Sequence, residues 1–176
     1  MKLIVGLGNP GNEYTNSRHN AGFKFVDRFT GGARFSLEGK FEALVYRDKD
    51  VLFVKPQTFM NESGRAVRRI MDFYKLGIDD VILVHDDLDL KLGEYKIQKG
   101  IGPKVHNGVS SVEANMPDKN FLRVRIGIDN REKSIYSGAG ADYVLSNFGK
   151  EEMEELDEVM EEAADELLVA LGLDGE

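Results

Sequence analysis

Six short apolar or β-branched runs, at residues 2–7, 41–47, 51–55, 81–84, 94–98 and 122–128, punctuate a chain of 176 residues. Between several of them the apolar positions switch to a spacing of three and four. Residues 20–29 put Phe23, Val26 and Phe29 on one helical face, and residues 62–74 do the same with Val67, Ile70, Met71 and Tyr74. A weaker helical pattern covers 108–115. When a helix separates two strands it carries the chain back across the sheet, so the strands it joins run parallel and both faces become covered. The alternation predicts an α/β fold, a single-domain, mixed, largely parallel sheet with helices on both faces. In open sheets of this kind, sites collect beyond the C-terminal ends of the strands.

The length suits one well-filled core better than two, and one domain is expected over 1–176. It ends in a helix at about 150–171, where Met153, Leu156, Met160, Ala163, Leu167 and Leu171 recur every three or four positions. The formal charge of −8 is unevenly spread, because residues 151–176 hold twelve acidic side chains and no Lys or Arg. The remainder carries 23 basic against 19 acidic residues and is mildly basic. Whole-chain charge therefore says little about the active surface, and an anionic partner is not excluded. No apolar run approaches eighteen residues and Met1 leads straight into the first strand, so a soluble, cytoplasmic protein without membrane contact is expected. The lack of cysteine excludes disulfides, thiolate catalysis and Cys-ligated zinc.

After the first strand comes GLGNPGNEYTNSRHNAGF, with Gly6, Gly8 and Gly11 at the spacing of a dinucleotide fingerprint. Such a fingerprint must open directly into a helix, whose first N–H groups hold the pyrophosphate. Here the turn runs on through Asn9, Pro10, Asn12, Thr15, Asn16 and Ser17, which are turn formers, and the next helix begins only near His19 or Asn20. No nucleotide cofactor is expected. The stretch offers instead two amides and an imidazole, Asn9, Asn20 and His19, at the end of a strand.

Other polar residues also follow strands: QTFMNESG after Lys55, HDDLDL after Val84, and VHNG ahead of the third helix. Asn61 reads first as the N-cap of its helix. Asp86, Asp87 and Asp89 admit a solvated turn or a magnesium site. Together the set is rich in amides, with an imidazole and a carboxylate, and lacks a thiol, a phosphate loop and a Ser-His-Asp signature. A histidine oriented by a carboxylate takes a proton from water near neutral pH, and neighbouring amides hold that water and donate to a developing oxyanion. This suits hydrolysis of an activated acyl group.

At these residues the sequence resembles the bacterial-type peptidyl-tRNA hydrolases. Six blocks carry the resemblance in order: GLGNPGNEYTNSRHNAGF, KPQTFMNESG, HDDLDLKLGE, HNG, FLRVRIGI and DYVLSNF. It implies a monomeric single-domain α/β enzyme that cleaves the ester joining a peptide to the 3′ ribose of tRNA, with no metal or cofactor. It further implies that His19 is the catalytic base and Asp86 its orienting carboxylate. Asn9 and Asn61 are implied as active-site amides, and Asn107 as the holder of the water and oxyanion. Tyr14, Asn20, Met60 and His106 are expected to meet the substrate, and Arg125 to contact tRNA phosphate. The chain departs from the family in KGIGPKVHNG, where Pro103, Lys104 and Val105 replace a glycine-rich run, and at Gln98, where a basic residue is common. Lys99 or Lys104 is then the candidate replacement. A non-catalytic RNA-binding protein on the same scaffold, or a dinucleotide-dependent oxidoreductase, is the alternative.

Overall fold

The structure, a computed structural model, describes residues 1–133 and 139–175. Among the described residues seven strands form one sheet in the order β2-β3-β4-β1-β5-β7-β6. Its parallel centre comprises β1 (Lys2–Gly6), β4 (Val51–Pro56), β5 (Val81–Lys91) and β7 (Leu122–Asp129). Antiparallel strands close both edges: β2 (Ser36–Glu38) and β3 (Ala43–Asp48) beyond β4, and β6 (Tyr95–Lys99) beyond β7. β1, β4 and the first half of β5 read as unbroken apolar runs because they are buried on both sides, whereas β7 carries the buried Arg123 and Arg125 among its apolar residues. Alternate residues of β1 feed opposite cores. Leu3 and Val5 pack with Val67, Ile70 and Met71 of α2 (Ser63–Tyr74) and Val109 and Val112 of α3 (Asn107–Asn115). Ile4 packs with Phe25 and Val26 of α1 (Ala21–Phe29) and with Leu156, Met160, Ala163 and Leu167 of α5 (Lys150–Ala170).

Three local differences from the sequence reading have physical causes. β2 carries no apolar alternation and two of its three residues are exposed, so nothing in its composition announces a strand. The loop expected at 129–142 is interrupted, since Asp129 closes β7 and α4 (Gly140–Leu145) begins inside it; residues 134–138 lie outside the described part. β5 continues seven residues past the apolar run, pairing Asp86 with Ile126 and Asp87 with Gly127 of β7. The HDDLDL segment is thus strand rather than a solvated turn, and Asp86 and Asp87 can be buried in it because histidines and Arg125 partner them, while Asp89 stays exposed.

Gly6 and Gly22 serve packing, whereas Gly11 serves the turn with a φ of 107°. A side chain on Gly6 would meet Gly22 O at 2.3 Å, and one on Gly22 would meet Leu7 N and Val84 O at 2.5 Å, so the pair lets α1 lie directly on the end of β1. The first turn of α1 is already in use: Phe23 N donates to Leu7 O at 3.2 Å. A pyrophosphate has no seat there.

Candidate active site

His19 lies on a 3-10 turn, Arg18–Asn20, that delivers the chain from the β1 loop into α1. Its Nδ1 is 2.8 Å from Asp86 Oδ2. The other carboxylate oxygen is taken by a second ring, with His106 Nε2 2.7 Å from Asp86 Oδ1. The proton positions follow from the remaining contacts. His106 is the N-cap of α3, and its Nδ1 accepts the Val109 N–H at 3.1 Å, so the ring proton sits on Nε2 and is donated to Asp86. His19 likewise donates from Nδ1, which leaves a lone pair on Nε2. That nitrogen has no protein hydrogen-bond partner among the described residues, in a ring that is largely but not fully buried. The two rings stand 4.8 Å apart, centroid to centroid.

Burial works against a charge on His19, yet the Asp86 charge and hydrogen bond outweigh it and raise the ring above the ordinary histidine value. Burial also opposes the Asp86 carboxylate, but the two imidazoles hold it well below the usual range. The neighbouring His85 is fully buried, donates from Nδ1 to Asp86 O at 2.8 Å, and is pushed down to about 3, first by burial and then by His106. It stays neutral.

A second network fixes the amides. Asn9 N donates to Asn20 Oδ1 and Asn20 Nδ2 donates back to Asn9 O, both at 2.9 Å. Met60 N donates to Asn9 Oδ1 at 2.8 Å, which decides the orientation of that amide and leaves Nδ2 without a protein partner among the described residues. Asn20 is buried and its side chain holds Asn9 in place. Met60 is buried among Leu7, Val67 and Val109 and contributes its main-chain N–H rather than an exposed groove wall. A side chain on Gly108 would meet Met60 Sδ at 2.3 Å, so the Asn61 and Asn107 segments converge at this end of the sheet. Both residues are exposed. Asn61 caps nothing; α2 starts two residues later, with Glu62 at the cap position and no side-chain cap bond. Tyr14 is half-buried on the 3-10 turn Asn12–Tyr14.

The remaining carboxylates do not form a cation site. Strand alternation sends Asp86 and Asp87 to opposite faces, Asp87 pairs with Arg125 at 2.7 Å, and exposed Asp89 accepts Lys104 N at 2.8 Å. Among the described residues, His19, Asp86 and His106 form the one cluster with metal-ligand potential. In the hydrogen-bonded arrangement the nitrogens facing Asp86 carry protons, so they hold the carboxylate instead of offering lone pairs.

A family model described as Peptidyl-tRNA hydrolase matches residues 3–174. The chain belongs to the peptidyl-tRNA hydrolase family. It is 41% identical over 162 residues to the peptidyl-tRNA hydrolase of Sulfurovum sp. (strain NBC37-1), covering 91% of this chain and 84% of that relative. With the peptidyl-tRNA hydrolase of Dehalococcoides mccartyi (strain CBDB1) it shares 40% identity, covering 99% and 96% of the two chains. The crystal structure of peptidyl-tRNA hydrolase from Acinetobacter baumannii superposes with a TM-score of 0.84 at 31% identity, covering 98% of this chain and 89% of that one. No helix among the described residues is long and apolar enough to cross a membrane.

Against the expectations set by this family, Arg125 differs most. It is buried, its Nε bound to Asp87 and its Nη1 to Gln98 Oε1 at 2.9 Å, so it is not a free surface cation. Gln98, which stands where a basic residue is common, here completes that buried pair. Lys99 binds Asp79, at the other end of β5 from the histidines. Lys104 is exposed, lies on the loop leading to His106, and makes no ion pair among the described residues. That loop tolerates Pro103 and Val105 because none of residues 101–105 needs a positive φ; only Gly100 does, at 71°. The second imidazole on Asp86 was not anticipated. The signal available for it was a histidine standing directly before a helix, in a chain with three histidines in all.

Proposed function

We propose that this chain hydrolyses the ester between a peptide, or an N-blocked amino acid, and the 3′ ribose of tRNA, as a monomeric cytoplasmic enzyme. The observation that carries the reading is the hydrogen bond of His19 Nδ1 to Asp86, which leaves a lone pair on Nε2, on the turn that Asn20 ties to Asn9. His19 takes a proton from water as the water oxygen adds to the ester carbonyl. The imidazolium that forms is stabilised by Asp86, whose charge has no fixed cation of its own. The carbonyl oxygen becomes an oxyanion, and Asn107 together with the free Nδ2 of Asn9 donates to it. Collapse breaks the bond to the ribose oxygen, which recovers the proton from His19, and the peptide leaves as a carboxylic acid that gives its proton to solvent water. The exposed Asn61 and the half-buried Tyr14 are assigned as substrate contacts. Lys104 is assigned to tRNA phosphate in place of the residue at Gln98.

The test is release of labelled N-acetyl-aminoacyl groups from tRNA, with unblocked aminoacyl-tRNA as control. Release from the blocked substrate supports the assignment. A protein that binds tRNA and releases nothing is a binder on this scaffold.

A further inference from the structure

The 3-10 turn that presents His19 is three residues long, too short to hold a side chain in register by its own hydrogen bonds. On one side Asn20 secures it to Asn9. On the other it is held by a segment more than 120 residues away. Arg18 N donates to Ser146 O and Phe148 N donates to Asn16 O, each at 3.0 Å, around a Ser17–Asn147 bridge. The Arg18 side chain then runs inward and is only 2% exposed. Its guanidinium lies 4.4 Å from the Tyr143 ring centroid and 5.3 Å from that of Phe148, and its Nη2 donates to Glu152 Oε1 at 3.0 Å.

Glu152 belongs to the first turn of α5 and is itself fixed. Its Oε1 accepts Gly149 N at 2.8 Å and its Oε2 accepts Asn130 Nδ2 at 3.0 Å. Burial opposes its charge, but the Gly149 N–H, Asn130 and Arg18 hold the carboxyl below its ordinary range. Tyr143 closes the circuit, its hydroxyl donating to Ile128 O and accepting from Asn130 N at the end of β7, both at 2.9 Å. The residue before His19 is therefore anchored at once to β7, α4 and α5. A buried guanidinium is costly to desolvate, and an apolar side chain would pack in its place with less penalty. What the planar, directional ion pair adds is a fixed position.

We propose that Arg18 and Glu152 are positioning residues of the reaction, a buried ion pair that fixes the His19 turn against Asp86 from the start of the acidic C-terminal helix. This rests on His19 being the general base. A displacement of about 1 Å is enough to cost up to 10²-fold in rate when a reacting group must be held in line.

The test compares kcat and KM for N-acetyl-aminoacyl-tRNA in Arg18→Met, Arg18→Lys, Glu152→Gln and Leu167→Ala. Leu167 is buried in the same helix and has no part in the Arg18 network. Arg18→Met is expected to lower kcat by between about 10- and 10²-fold with KM little changed. Its acid limb should move to lower pH, because the ionisable groups facing His19 are Asp86 from β5 and His106 ahead of α3, and a ring drifting from Asp86 loses what raised it. Arg18→Lys should recover part of the rate, and Glu152→Gln, which keeps shape and loses charge, should fall between. Leu167→Ala should lower Tm while kcat and the acid limb stay at wild-type values. The proposal is overturned by a folded Arg18→Met or Glu152→Gln protein with wild-type kcat and acid limb, or by an equal kcat loss in Leu167→Ala. A His19→Ala protein of undiminished rate overturns it by another route, by removing the base on which it rests.

Discussion

Asp86 and Asp87 are adjacent on β5, both essentially without solvent exposure, and they do opposite things. Because side chains alternate across a strand, Asp86 faces His19 and His106 while Asp87 faces Arg125. Asp87 has a permanent cation at 2.7 Å and no proton to exchange with it. Asp86 has two imidazoles that donate to it while neutral. Its charge is therefore matched by a full positive charge only when His19 takes a proton, which is the moment the reaction needs it. Burial pushes the Asp87 carboxyl up in spite of Arg125, whereas the two rings drive Asp86 down. The difference teaches that a buried carboxylate becomes chemical or structural through the partner its strand face gives it. Sequence adjacency does not decide it.

The hardest way to break the comparison is to remove the ring that Asp86 serves. His19→Ala should lose about 10²- to 10⁴-fold in turnover, the usual contribution of a general base, with tRNA binding nearly intact in a filter or mobility-shift assay. Wild-type turnover should rise with pH through a midpoint above the ordinary histidine value, since it is the deprotonated ring that acts and its ionisation is raised. A mutant with the wild-type rate and profile would refute the assignment. Asp86→Asn attacks the same face more subtly. His106 must keep its proton on Nε2 because Val109 N–H occupies Nδ1, so it claims the amide oxygen. The amide nitrogen is left facing His19 and forces that ring's proton to Nε2, the atom that should accept from water. The wrong tautomer should cost on the order of 10²- to 10⁴-fold, and the acid limb should disappear with it.

The oxyanion side offers a smaller loss. Asn107→Ala should cost on the order of 10²-fold in kcat, the scale for one such donor, with the pH profile preserved because His19 and Asp86 are untouched. A near-silent mutant would assign the oxyanion to Asn9 Nδ2 alone.

Much of this was legible in the chain. The alternation of strand and helical patterns announced the parallel centre, and the turn formers after Gly6 argued against a nucleotide fingerprint. The residues alone offered an imidazole and a carboxylate after strands, and it was the family resemblance that implied His19 and Asp86 as the pair. What stayed hidden depends on which partner a side chain meets. The last seven residues of β5 look like a turn until Arg125, His19 and His106 arrive to satisfy them. Asn20 and Asn9 are both amides after a strand, yet only the reciprocal bonds between them show that Asn20 holds Asn9 in place. Arg18 looks like a surface cation in sequence, and only the fold brings Tyr143, Phe148 and Glu152 around it.

The other face supplies the smallest catalytic effect and the sharpest contrast. Arg125→Ala leaves Asp87 buried without its cation, a loss expected to cost about 3–5 kcal/mol and to lower Tm by on the order of 10 °C in a domain of this size. At a temperature where the mutant is folded, kcat should stay within about twofold of wild type, because among the described residues Asp87 and Arg125 share no hydrogen bond or ion pair with His19, Asp86 or His106. The salt dependence of tRNA affinity should also keep its slope, since a guanidinium already bound to Asp87 and Gln98 releases no counterion from phosphate. Lys104→Ala, on the exposed loop, should flatten that slope by roughly one phosphate contact. An Arg125 mutant that is stable but shallow in salt would place its cation on the RNA after all and end the division of labour between the two aspartates.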